Sequence, residues 1–182
     1  MKELAKTPLT GNPVIDKHLL AHTPLYTMID RTRLMWMLEE VDIETEKLYE
    51  ILTTYYDEKQ YIDNYYIATR FIKAGIKLDY YLHTPNQYFR KLVAEQGYGL
   101  EKLVYDPNTV VRCAIVRKGW CLDQLKHDKS TDVRLQVVKQ NYDLEFFLND
   151  TSQRVAKEAR KRLEHKRRKQ LIAERKAQDE NN

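Results

Sequence analysis

Seven of the ten residues from Arg160 to Lys169 are arginine or lysine: Arg160, Lys161, Arg162, Lys166, Arg167, Arg168 and Lys169. Guanidinium and ammonium groups at this density displace the counterions of a phosphate chain, which requires charge and no special geometry. Wound on a helix, the seven point in every direction, so a phosphate backbone or another anionic groove is met from several sides. Charge alone reads no bases, so no sequence preference follows. A second constellation is aromatic. Tyr98, Trp120 and Tyr142 stand 22 residues apart, each just after a helix stop. Because Tyr and Trp anchor protein interfaces, the three are either a binding stripe for a partner or a stacked ladder that seals neighbouring units.

Groups for covalent or metal chemistry are sparse. Ser130 and Ser152 are the only serines, and there is no G-x-S-x-G, no glycine loop for phosphates and no H-E-x-x-H. His18, His22, His83, His127 and His165 are scattered; His18 and His22 stand at i,i+4, which would share a face if helical, but no carboxylate pattern completes a metal set. No enzyme activity, catalytic residue, metal site or cofactor is expected. Cys113 and Cys121 are too few for a disulfide framework and match no zinc or iron–sulfur spacing, so reduced thiols in a cytoplasmic protein are expected. The opening "MKELAKTPLTGNPVIDKHLL" lacks the apolar run of a signal peptide, and no stretch approaches a membrane span.

The net charge of +4 conceals a segregation along the chain. Glu39 to Glu58 holds eight acids and one lysine, whereas Arg154 to Lys176 holds eleven basic residues and three acids. Such asymmetry reads as a basic arm for nucleic acid or an acidic partner with a separate acidic face, or as two solvated helix faces. Eight of the thirteen tyrosines lie between Tyr49 and Tyr81. Tyr66 and Phe71 in "YYIATRFI" are expected to point inward; the rest, beside the acidic run, offer a surface for a basic protein or, on weaker grounds, a phosphate mimic.

A repeat positions these groups. "GYGLEKLVYDPNTVVR" (97–112) is echoed 22 residues later by "GWCLDQLKHDKSTDVR" (119–134). The same register aligns Gly75, Gly97, Gly119 and Asn141, then Leu78, Leu100, Leu122 and Leu144, then Asp106, Asp128 and Asp150, then Val111, Val133 and Val155. In the middle unit, Asp106 reads as an N-cap with Pro107 at the first helical position. Val110, Val111, Ala114, Ile115 and Lys118 follow at helical spacing, and Gly119 is the stop. "WCLDQLKH" then predicts a second helix of barely two turns, with Leu122 and Leu125 inward. Helices this short hold only by packing on their neighbours.

The expected fold is therefore all-α: a helical solenoid of 22-residue, two-helix repeats with an N-terminal helical cap and a long basic C-terminal helix. Residues 1–65 form the cap, with helix starts at Thr23–Pro24 and Asp42–Ile43 and a loose stretch from Met1 to about Asn12. Residues 66–150 form the repeats, where Thr84 replaces the capping aspartate of the first unit. Residues 151–182 form the basic helix and tail. There Val155, Ala159 and Leu163 pack on the last repeat, Glu158–Arg162 and Glu164–Arg168 pair, and the final dozen residues fray. Arg112 and Arg134 are expected to pair with the aspartates of neighbouring units, which makes them poor choices for nucleic-acid contacts.

The D-x-x-x-x-V-R…G…L…L pattern resembles HEAT-like repeats and, by its short period, the leucine-rich repeat variant, over about residues 66–163. The iron–sulfur cluster of the repeat-variant family is not implied, because its cysteine cluster is missing here. Units written "QGYGLEKL", together with the chain's size, opening and basic end, are similar to type II anti-CRISPR proteins of gut phages. That resemblance implies a phage or mobile-element protein that binds a CRISPR effector nuclease with its guide RNA in the bacterial cytoplasm and stops DNA cleavage, touching duplex DNA as well. HEAT-like DNA glycosylases share the architecture, but this chain is short for one and supplies only Trp36 and Trp120. A general nucleic-acid-binding or scaffolding solenoid is the remaining alternative.

Overall fold

In a computed structural model, residues 44–55 and 58–180 are described, and all regular structure among them is helical. The expected starts at Thr23 and Asp42 and the loose N-terminus lie outside the described residues. The chain divides into two compact units between Tyr81 and Leu82.

The first unit contains α1 (Thr45–Tyr55), α2 (Glu58–Tyr61) and α3 (Tyr65–Lys73), and α4 (Leu78–His83) begins in it. The Asn64 side chain caps α3 by accepting from the Tyr66 and Ile67 amides at 3.1 and 3.3 Å. Leu48, Leu52, Tyr61, Ile67, Phe71 and Ile72 are buried, with the rings of Tyr49 and Tyr61 set edgewise on Phe71. Phe71 points inward as its spacing predicts; Tyr66 does not. Ile67 and Ala68 take the inward positions instead, and Tyr66 stays 46% exposed. The reason is helical spacing: Tyr66 and Phe71 are five residues apart and fall on different faces, whereas Ile67 and Phe71 at i,i+4 share one. Tyr81 is fully buried, where its hydroxyl donates to Ile62 O at 2.8 Å and burial raises its pKa far above that of a free phenol.

In the second unit the 22-residue register becomes geometry. Three nine-residue helices, α5 (Gln87–Glu95), α7 (Thr109–Arg117) and α9 (Thr131–Lys139), alternate with single turns, α6 (Leu100–Leu103) and α8 (Leu122–Leu125), and a 3₁₀ turn at Phe146–Asn149. α10 (Gln153–Glu180) follows. The second helix of each unit is thus one turn and not two. Along the chain α5 packs on α7, α7 on α9, and α9 on α10.

Each longer helix starts two residues later than the Asp–Pro signal predicts. Asn108, not Asp106, is the N-cap of α7 and accepts from Val110 N at 2.8 Å; Asn86 does the same for Tyr88 N at 3.0 Å. Asp106 is withheld from the helix because its Oδ1 already accepts from Asn108 N at 2.8 Å in a turn. Asp128 and Asp150 repeat this with Ser130 N and Ser152 N, and Thr84 substitutes a longer 3.4 Å bond from Asn86 N. The stops agree with the sequence. Gly97 and Gly119 sit at φ 78° and 79°, Asn141 takes the same place at 58°, and Trp120 N reaches back to Ile115 O at 3.2 Å.

α7 is buried continuously from Val111 to Val116 because it has a helix on either side, whereas Val110 (43% exposed) and Lys118 face solvent. On α10, Val155, Ala156 and Ala159 are buried against α9 and the 3₁₀ turn, and Leu163 is half-buried. From Glu164 to Lys176 every residue is exposed. The helix runs to Glu180, 28 residues and about 42 Å at 1.5 Å per residue.

Candidate nucleic-acid and partner interface

Two populations of cations stand out in the second unit. Arg112 directs Nε and Nη2 to Asp128 at 2.7 and 3.0 Å, while its Nη1 donates to Asp106 O at 2.6 Å and Pro107 O at 3.3 Å. Arg134 makes the same contacts to Asp150 and to the Asp128 and Lys129 carbonyls. Arg90 completes the series with Asp106 and the Thr84 and Pro85 carbonyls. Each arginine therefore reaches sixteen residues ahead and lies almost wholly out of water; Arg112 is 4% exposed. Planar guanidinium is suited to this fork, and charge-assisted bonds of this kind are the strong ones. The Asp150 carboxyl is held below its usual range, first by the Arg134 hydrogen bonds. These cations are spent on the fold. Arg90 was not anticipated from sequence because its unit begins with Thr84 in place of aspartate, yet its own partner, Asp106, is in register.

The second population is on α10. Among the seven basic residues singled out there, Arg162 is committed: its Nε donates to Glu158 at 2.6 Å, and its Nη1 to Lys139 O and Asn141 Oδ1, both at 3.0 Å. It closes the C-terminus of α9. Arg160 makes one exposed bond to Leu148 O at 3.3 Å. Lys161, Lys166, Arg167, Arg168 and Lys169 are exposed and form no ion pair among the described residues, and no pair joins Glu164 to Arg168. Lys161, Arg162, Arg168 and Lys169 come together along a shallow groove with Asn141, His165 and two acids, Glu158 and Glu164. Arg160 lines a neighbouring one with Arg154 and Lys157, and Lys166 and Arg167 lie outside both.

The aromatic column is divided between packing and exposure. The Trp120 indole is half-buried over Gly97, where an added Cβ would lie 3.0 Å from the ring. Tyr142, also half-buried, donates its hydroxyl to Asp123 at 3.3 Å. Both lean back on the preceding unit. Tyr98 remains 39% exposed, and Tyr88 and Tyr105, which the sequence reading passed over, are more exposed still at 58% and 74%.

Both cysteines are free, and burial raises the pKa of each thiol. Among the described residues no group of three or more His, Cys, Asp or Glu side chains could hold a metal ion, and no helix is long and apolar enough to cross a membrane. No family model, no curated protein and no solved structure matches the chain.

Proposed function

We propose that this chain is a non-enzymatic binding protein, an α-helical solenoid that docks on a type II CRISPR RNA-guided nuclease and blocks target-DNA cleavage, its basic C-terminal helix adding contacts to guide RNA or DNA. The observation that carries the reading is the contrast between the two sets of cations. Arg90, Arg112 and Arg134 are neutralised inside the fold, whereas Lys166, Arg167, Arg168 and Lys169 stand in a stretch of α10 that is exposed throughout, from Glu164 to Lys176. Unpaired cations on a projecting helix are placed to meet phosphates. Support for the solenoid comes from the helices packed in chain order and from ion pairs recurring at the repeat period. The choice of nuclease rests on the resemblance to type II anti-CRISPR proteins, and with it goes a phage or mobile-element origin and action in the bacterial cytoplasm. Tyr98, with the outer edges of Trp120 and Tyr142, is the candidate protein-contact strip.

The test is target-DNA cleavage by a purified type II effector with its guide, with this protein titrated in and the mixture run on size exclusion. Inhibition with co-elution is expected, and charge reversal at Arg167, Arg168 and Lys169 should weaken the complex and reduce its salt sensitivity. Full cleavage and no complex across several effectors would sink the reading. A second reading, a general nucleic-acid-binding module, is favoured by Lys161, Arg168 and Lys169, which line the groove on α10 exposed and without an ion pair among the described residues. It predicts steeply salt-dependent binding to bare DNA and no nuclease complex.

A further inference from the structure

The second unit holds another set of cations in register, away from the projecting part of α10. Arg117 and Lys139 are the last residues of α7 and α9, Lys118 follows Arg117 at the helix end, and Lys161 occupies the equivalent place on α10. All four are exposed and form no ion pair among the described residues. Since α7 packs on α9 and α9 on α10, residues at equivalent positions form a row, spaced by the roughly 8–10 Å between packed helix axes.

Cations at helix C-termini are favoured by the helix dipole, but here the terminal carbonyls are already occupied by other donors. Gln140 Nε2 donates to Arg117 O at 3.4 Å and Arg162 Nη1 to Lys139 O at 3.0 Å. The row is therefore left facing water. On the helices that carry the row, no large hydrophobic side chain of α7 after Val110 or of α9 is exposed. The row itself therefore has neither the apolar centre of a protein interface nor the aromatic platforms on which single strands stack. Phosphates in a rigid double-helical backbone ask for neither. At Lys161 the row runs into the groove that holds Arg168 and Lys169.

We propose that Arg117, Lys118, Lys139 and Lys161 form a track for the sugar–phosphate backbone of a double helix, carrying the contact from α10 across the body of the second unit. The proposal rests on the reading that the chain contacts nucleic acid, and it adds the surface that does so. The experiment compares full-length R117Q/K118Q/K139Q with K59Q/K102Q/K129Q, which removes the same charge from exposed lysines elsewhere, by anisotropy of a fluorescein-labelled duplex over a salt series. Matching thermal melts would show all proteins folded. The track variant should bind about tenfold more weakly, with the slope of log K against log salt reduced by about 2 to 3 for three lost phosphate contacts; the control should stay near wild type. A track variant that behaves like the control overturns the track, and if K166Q/R167Q/R168Q/K169Q is weakened in the same assay, the nucleic-acid reading itself survives. Wild-type protein without salt-dependent duplex affinity brings down both. Unchanged duplex binding with lost nuclease co-elution would assign the row to an acidic protein surface and overturn the track.

Discussion

Arg112 engages two carboxylate oxygens and two carbonyls from a position with almost no access to water. Removing one member of such a pair strands the other, so Arg112→Ala should cost about 3–5 kcal/mol. Arg112→Lys should recover only part of it, because an ammonium cannot make the fork. Urea unfolding decides the matter: a loss under about 1 kcal/mol would show that the pair carries little. The Asp150 carboxyl adds a pH dependence. Its folded pKa lies below the unfolded value, so its contribution is complete above the ordinary carboxylate pKa near 4 and is lost as pH falls through the depressed folded value. Wild type should therefore lose more stability than Arg134→Gln between pH 5 and pH 2; parallel curves would contradict the assignment. The Arg112 and Arg134 partners were legible in the sequence, since a buried arginine at fixed spacing from aspartate has few other places to go. Arg90 was hidden by Thr84, and Tyr66 was misplaced because it stands five residues from Phe71, a spacing that cannot keep both on one helix face.

At the scale of elements, the glycine stops offer a paired experiment. Gly119 has φ 79° with nothing within 4 Å of an added Cβ, so Gly119→Ala should cost only the backbone strain, about 1–2 kcal/mol. Gly97 has nearly the same φ but faces the Trp120 ring at 3.0 Å, so Gly97→Ala should cost more, and Trp120→Leu should reduce the difference. Equal losses in thermal unfolding would mean that the indole does not seal this joint. For α10, truncation after His165 keeps Val155, Ala156, Ala159 and Leu163 and should leave the melting temperature of the body nearly unchanged while duplex affinity falls. A collapse of stability would give the distal helix a structural role. The period, the stops and the long last helix were all readable from the sequence. The starts were not, because Asp–Pro serves equally well as a turn ahead of a helix and as its first residues, and the carboxylate's arginine partner decides between them.

At the scale of the whole chain, protection against hydrogen exchange should be uneven. Amides of α7, buried over six consecutive residues, should exchange slowest, those of α10 beyond Glu164 fastest, and uniform protection by mass spectrometry would refute this ordering. What the sequence did not reveal at this scale is which cations are free, since Arg117 and Arg112 look alike until a partner is placed beside one of them. The ladder also has defined ends. Continuing its register puts Ala68 with Thr84 before the first rung and Ala156 with Ile172 after the last, so both partners disappear together. Between those ends each rung reaches a fixed sixteen residues forward and stops and aromatics recur every 22, so nothing ties the sequence to its present number of units. A tandem copy of residues 97–118, inserted after Lys118, would hand Arg112 a new aspartate at the same distance and supply the old one with a new arginine. Length is thereby editable in whole units, without redesigning a single joint.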